Sequence, residues 1–373
     1  MDIYDKLARH LDNLPGGFPP TESGVELRIL RRLFSPEEAE LALHLILIPE
    51  EPRVIARRAK ITPEEAAQRL EDMARKGLIY SVESEGRPPR YMALQYVVGI
   101  WEFHLNDLDP ELIEDMNEYI PTLFHEAWKA PQLRTIPVGH SIDAELAVMP
   151  HEQAEEIVRA REKLLVAPCI CRRERSMMGE GCDRPEESCL VFGSAADYYQ
   201  RNGLGRMIDQ QEALEILRRA DEAGLVLQPG NSQRPSNICC CCGCCCGVLR
   251  TLKLQPKPAS LVASPFVAAI DPTTCTGCGI CIGRCQMEAL SLEPDDGTVS
   301  LDLDRCIGCG LCVATCPTES LTLVRKPEPD LPRVPRNSIE SALRLMQARG
   351  KLATTDLVSM PLKSIVDRLL AGR

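Results

Sequence analysis

Apolar positions recur at helical spacing in two capped stretches near the N-terminus. "SPEEAELALHLIL" opens with Ser35 and carries Glu38 three residues on, a capping box ahead of an apolar run. "TPEEAAQRLEDMARKG" has Thr62 as cap, Pro63 at the first position, Glu65 completing a second box and Gly77 as terminator. Between them "EPRVIARRAKI" reads as a short basic helix. "LIYSVESEGRPPRYMAL" then alternates apolar and polar around Gly86, the period-two signature of a hairpin. Residues 24–95 therefore predict helix, helix, helix, hairpin. Residues 96–133 continue as helix and hold Trp101 and Trp128.

The middle of the chain mixes both periods. "RTIPV" (134–138) predicts a strand. "PHEQAEEIVRAREKL" (150–164) predicts an amphipathic helix with Ala154, Ile157, Val158 and Leu164 on one face. "LLVAPCI" reads as a buried strand delivering Cys169 and Cys171 at its end. Asp209 and Glu212 cap a helix that Gly224 ends, and "LVLQ" (225–228) follows as a strand. In the tail, residues 326–337 form a proline-rich linker. Ser338 caps a helix ended by Gly350, and "MPLKSIVDRLLAGR" predicts another.

Composition narrows the chemistry. The chain has 373 residues, 19 of them cysteine, and a net charge of −11. Its acidity argues against a general polyanion binder, and scarce aromatics argue against a single-strand stacking surface. The N-terminal residues lack the apolar core of a signal peptide. The longest apolar runs, Leu41–Ile48 and Leu261–Ile270, are too short to span a bilayer. The expected location is the cytoplasm, where thiols stay reduced and dense cysteines bind metal rather than pair as disulfides.

The strongest motif is duplicated. "CTGCGICIGRCQ" supplies Cys275, Cys278, Cys281 and Cys285, and "CIGCGLCVATCP" supplies Cys306, Cys309, Cys312 and Cys316. Each cysteine of the second set lies 31 positions after its counterpart, as Asp302 does after Asp271. "MEALSL" (287–292) is likewise answered by "TESLTL" (318–323). The repeating unit reads strand, cysteine loop, short helix, strand. In C-x2-C-x2-C a loop wraps one cluster with three thiolates, and Gly277, Gly279, Gly308 and Gly310 let backbone pass close to it. These residues, over 266–325, resemble the bacterial two-cluster ferredoxin domain. The resemblance implies two [4Fe-4S] clusters, with the fourth cysteine beginning the following helix and reaching the other cluster. Cys275, Cys278, Cys281 and Cys316 would then hold one cluster, and Cys306, Cys309, Cys312 and Cys285 the second. Gln286 departs from the pattern, since Pro317 follows Cys316. Two four-cysteine zinc sites are the competing reading, which crossed triplet-plus-one order fits poorly.

Eleven further cysteines lie upstream: Cys169, Cys171, Cys182 and Cys189, then seven of the eight positions 239–246. Neighbouring cysteines on an extended chain point to opposite sides, so the run cannot reach one ion. A turn at Gly243 could gather several. The expectation is a third iron–sulfur cluster between two loops, with candidates Cys169, Cys182, Cys189 and Cys171 from the first and Cys239, Cys241 or Cys242 from the second. Two cubanes with three thiols over, a larger non-cubane cluster, a zinc site and a redundant thiol run remain open. Arg172, Arg173 and Arg175 would favour an anionic cluster, or form a solvated basic loop. The segment bears a loose likeness to the CCG modules of heterodisulfide reductases, without their long inter-cysteine spacing.

Residues 24–95 resemble a winged helix-turn-helix of bacterial regulators. The helix that would enter DNA carries Glu64, Glu65, Glu71 and Asp72 against Arg69, Arg75 and Lys76, the wrong balance for tracking phosphates. Arg53, Arg57, Arg58, Lys60, Arg87 and Arg90 flank it, so DNA ranks below docking or dimerisation as its use. His104, His125, His140 and His151 show no ligand spacing.

The fold class that results is α+β and multidomain. It comprises an extension (1–23), a winged-helix-like domain (24–100), a helical connector (101–133), an α/β cysteine-rich domain (134–260), a ferredoxin-like two-cluster domain (266–325), a linker (326–337) and a helical tail (338–373). No nucleotide loop, zinc-protease helix or Ser/His/Asp grouping is present. The expected function is electron transfer through two [4Fe-4S] clusters and a third cysteine-rich centre to a redox partner protein. A reductase with a catalytic cysteine-rich cluster and a redox-sensing winged-helix regulator are the alternatives.

Overall fold

The computed structural model of the chain describes residues 2–127, 129–143, 145–294, 297–352 and 354–371; Trp128 lies outside them. The chain forms two compact units. The first comprises residues 1–130, 197–204 and 342–373, and the second residues 131–196 and 205–341.

The first unit is built as its capping signals require. Ser35 Oγ accepts from the Glu38 N–H at 3.2 Å while Glu38 accepts from the Ser35 N–H at 2.8 Å, starting the helix Pro36–Ala42. A helix Pro52–Ala59 follows, and Thr62 caps the helix Pro63–Arg75. Strands β1 (Tyr80–Ser84) and β2 (Arg87–Met92) pair antiparallel with Tyr80 opposite Met92. Residues expected as an extension form a helix, Ile3–Asp12, with Leu7 and Leu11 buried. In the connector the backbone of Val97, Val98 and Gly99 is not helical, and regular helix resumes at Pro110–Ala127. The tail helix Ser338–Ala348 is capped by Asn337, not Ser338: Asn337 Oδ1 accepts from the Glu340 N–H at 3.0 Å. A last helix spans Thr354–Leu370.

The tail is fixed to the N-terminal helices by buried ions. The Arg349 guanidinium bonds Asp12 Oδ1 at 2.6 Å and the carbonyls of Asp12 and Leu14 at 2.9 Å. Asp367 accepts from Arg57 at 2.7 Å, and Ser364 donates to the buried Glu50 at 2.7 Å. Glu50 is also paired with Arg58. Three of the six basic residues expected to flank a DNA-reading helix are thus occupied: Arg57 and Arg58 by Asp367, and Arg53 by Glu51.

The second unit holds a five-stranded antiparallel sheet in the order β5-β3-β4-β7-β6. Its strands are β3 (Leu164–Pro168), β4 (Glu187–Phe192), β5 (Arg206–Ile208), β6 (Val226–Pro229) and β7 (Asn237–Cys241). The helix Gln210–Glu222, capped by Asp209, buries Ala213, Ile216, Leu217 and Ala220. Two expectations fail here. Residues 134–138 make only isolated bridges, Arg134 to Ala263 and Ile136 to Leu227. The helix read over 150–164 is a single tight turn, Pro150–Glu152, then a short helix Ala154–Arg159; Leu164 opens β3. Pairing of Leu164 with Phe192 and Ile208 claims for the sheet a residue that helical periodicity also fitted.

The same unit contains the duplicated segment: β8 (Phe266–Ile270), β9 (Leu290–Leu292), β10 (Val299–Leu301) and β11 (Leu321–Arg325). The first strand of copy one pairs with the last of copy two, β8 with β11, and β9 pairs with β10. The Asp271 N–H donates to Ser320 O and the Asp302 N–H to Ala289 O, each at 2.8 Å. These bonds exchange between copies at the 31-residue offset, so the duplication folds with internal two-fold pseudosymmetry.

Candidate iron–sulfur and metal centres

The cysteine loops of the duplicated segment require glycine. Gly277 and Gly308 have φ of +64° and +67°, and a Cβ at either would lie 2.1 Å from a carbonyl oxygen, of Gly297 or of Phe266. The bends recur even where glycine is absent: Glu288 and Glu319 have φ of +57° and +55° at the same offset. Cys285 does not begin a helix. It ends the short helix Ile280–Arg284, which carries Cys281. Held there, its sulfur accepts from the Ala289 N–H at 3.2 Å, and Cys306 accepts from the Ala268 N–H at 3.4 Å.

A small pocket is lined by Cys285, Cys306, Cys309 and Cys312, together with Ala268, Leu290, Leu301 and Leu311. Three of these cysteines come from one copy and the fourth from the other. Burial pushes the Cys309 thiol up to about 12, with the Cys285 charge adding to the effect. Cys281 has Cys278 and Cys316 as its charged sulfur neighbours. At Cys316 burial acts upward, but the Ser320 hydroxyl, the Leu321 N–H and the Thr318 hydroxyl outweigh it and hold the thiol at about 7. Thiolate clusters need backbone N–H groups on sulfur, small residues at close approach and an apolar wall. This segment supplies all three.

The central cysteines fall into two groups and one leftover. Strand β7 runs between β4 and β6, so Cys239 lies opposite Cys189 and Cys241 opposite Val226. Alternation along β7 sends Cys239 and Cys241 to one face and Cys240 to the other, with Ile238. Cys169 ends the loop after β3, Cys171 lies in the first turn of the helix Ile170–Met177, and Cys246 caps the helix Gly247–Lys253. Six sulfurs follow one another as close electrostatic neighbours: Cys189, Cys239, Cys241, Cys246, Cys171, Cys169. Their sulfur neighbours lower the pKa of Cys169, Cys239 and Cys246 and raise that of Cys171, Cys189 and Cys241.

The second group is Cys182, Cys242, Cys244 and Cys245, whose sulfurs all lie within 4.8 Å of one another. Of the seven cysteines expected around one centre, the structure gathers Cys169, Cys171, Cys189, Cys239 and Cys241 and places Cys182 and Cys242 in this other group. Cys244, Cys245 and Cys246 were missed. The run was read as a loop, and only its division into a strand to Cys241 and a turn at Gly243 shows which way each sulfur points.

One cation serves both groups. Arg172 is 2 % exposed and donates to the carbonyls of Pro185 and Cys240, each at 2.6 Å. Burial alone would lower its pKa, but the sulfurs of Cys169, Cys242 and Cys241 outweigh that and keep it charged. Arg173 and Arg175 instead pair with Glu186 and Glu180.

The two regions meet at Gln286. The Gly243 N–H donates to Gln286 Oε1 at 2.8 Å, and a Cβ on Gly243 would lie 2.4 Å from Gln286 O. The residue that departs from the duplicated pattern is therefore the one that receives the cysteine turn.

These centres define the chain as an iron–sulfur, metal-binding protein. Residues 268–317 match the family model of the 4Fe-4S dicluster domain. No curated protein and no solved structure matches the chain. Among the described residues no helix is long and apolar enough to cross a membrane.

Proposed function

We propose that this chain is an electron-transfer protein carrying two [4Fe-4S] clusters in its duplicated segment and a third iron–sulfur centre in its central sheet. Cys275, Cys278, Cys281 and Cys316 hold the first cluster, and Cys306, Cys309, Cys312 and Cys285 the second. Bound there, the clusters supply one-electron transfer. The chain's own part is to fix sulfur positions, aim the Ala268 and Ala289 N–H groups at sulfur, and exclude water with Leu290, Leu301 and Leu311. The observation that carries the reading is the cavity lined by three cysteines of one copy and the fourth of the other.

The third centre rests on the gathering of six neighbouring sulfurs, Cys169, Cys171, Cys189, Cys239, Cys241 and Cys246, beside the buried Arg172. Six thiols from two strands and two helix starts exceed the four that one tetrahedral ion takes, which favours a polynuclear centre. The redox partner is a protein with a basic patch, matched to the chain's net charge of −11. A winged-helix use of residues 24–95 as a docking module ranks above DNA binding, because Arg53, Arg57 and Arg58 are already ion-paired.

Iron and acid-labile sulfide per chain, measured on anaerobically prepared protein, test the proposal. About twelve of each, four per centre, is the expected result. About eight would remove the third centre, and none would remove the electron-transfer reading.

A further inference from the structure

The Cys182, Cys242, Cys244 and Cys245 group is the wrong size for a cluster. In a cubane each thiolate binds a different iron, which separates the four sulfurs widely. Four thiolates on one tetrahedral ion at ~2.3 Å lie roughly 3.8 Å apart. Here Cys182 and Cys245 are 3.6 Å apart, Cys244 and Cys245 3.8 Å, and Cys182 and Cys242 3.9 Å. All four fall within 4.8 Å of one another.

We propose that Cys182, Cys242, Cys244 and Cys245 hold a single divalent metal ion, Zn2+ or Fe2+, in a tetrahedral four-thiolate site separate from every iron–sulfur cluster of the chain. The local chemistry is that of such a site. Cys242 and Cys245 have the C-x2-C spacing of a metal knuckle, and the Cys245 N–H donates to the Cys242 sulfur. Cys182 comes from a loop 60 residues away and accepts from the Arg184 N–H. Four thiolates around a divalent ion leave a net charge of −2. Arg184, whose Nη1 donates to Cys244 at 3.2 Å, and Arg172, bonded to Cys242, offset it. Gly243 lies inside this knuckle, and its N–H is the one bound by Gln286. The ion therefore fixes the turn that abuts the residue after Cys285. That positioning consequence rests on the role proposed above for Cys285; the ion site itself does not.

The test is metal analysis of the full-length protein with X-ray absorption at the zinc and iron edges. The expected result is one ion per chain beyond the cluster iron; at the zinc edge it shows a shell of four sulfurs and no metal–metal scattering. A zinc-edge signal identifies Zn2+; a high-spin ferric resonance on mild oxidation identifies Fe2+. Cys182→Ser and Cys244→Ser should each lose that one ion and keep all labile sulfide, while Cys240→Ala should lose neither. The absence of such an ion in unmodified protein would overturn the proposal. So would loss of iron and sulfide together, four of each, in Cys182→Ser. A chain without labile sulfide that still holds the single ion would end the electron-transfer reading and leave this one standing.

Discussion

The duplicated segment and the central cysteine region hold eight and eleven thiols in one unit, and they gather them by opposite routes. In the duplicated segment three cysteines of each copy arrive on one tight stretch, and two-fold pseudosymmetry brings Cys285 of the first copy to Cys306, Cys309 and Cys312 of the second. In the central region the thiols come from β4, β7, two helix starts and a turn, so strand register decides which sulfurs meet. The first arrangement is local and repeated, and the second is long-range and unrepeated. The lesson is that thiol density does not measure cluster chemistry: alternation along β7 sends Cys240 into the core beside six sulfurs it does not join.

The largest expected effect breaks the first region by its crossed ligand sets. Cys285→Ala should remove one cluster, about four irons per chain. Adding Cys309→Ala should remove no more, because both changes strike the same cluster. Adding Cys278→Ala instead should remove about eight. Iron and labile sulfide on the three variants read the result, and the reverse pattern, about eight irons lost with Cys309→Ala and about four with Cys278→Ala, would refute the crossing.

Next in size are two buried cations, one in each unit. Arg172→Ala strands the carbonyls of Pro185 and Cys240 and the sulfurs it faces, and should cost about 3–5 kcal/mol in denaturant unfolding. Arg173→Ala, at a partly exposed pair with Glu186, should cost about 1 kcal/mol or less. Arg349→Ala should destabilise the first unit by less, about 1–3 kcal/mol, since it strands the carbonyls of Asp12 and Leu14 while Lys351 still pairs with Asp12. Its iron content should be unchanged, which separates the stability of that unit from metal binding.

The smallest effect sharpens the comparison at the joint between the regions. Gln286→Pro would make the first copy match Pro317 in the second. It removes the Oε1 that accepts from the buried Gly243 N–H, at a cost of about 1–3 kcal/mol. Equal stability of the variant and the parent, by thermal unfolding under anaerobic conditions, would mean that this bond is not what joins the two regions.

What was legible in the sequence follows the same divide. The C-x2-C-x2-C loops, their glycines and the 31-residue offset are local facts, and residues 268–317 match the dicluster family model. Caps at Ser35, Thr62 and Asp209 were readable because a side chain meets a backbone N–H three residues away. The helix read over 150–164 was not, because Leu164 satisfies helical spacing and strand pairing equally and only its neighbours Phe192 and Ile208 decide. Cys246 escaped notice for a related reason: its meeting with Cys171 and Cys241 depends on the turn at Gly243. Gln286 looked like a blemish in a repeat, and its partner lies 43 residues earlier in the chain.

Electron paramagnetic resonance of the dithionite-reduced full-length protein tests the central claim most directly. Two clusters held by interleaved ligand sets predict a broadened signal from interacting spins, and Cys285→Ala should collapse it to the simple signal of one isolated cluster. A reduced protein with no iron–sulfur resonance, or a variant whose interaction survives unchanged, would contradict the account.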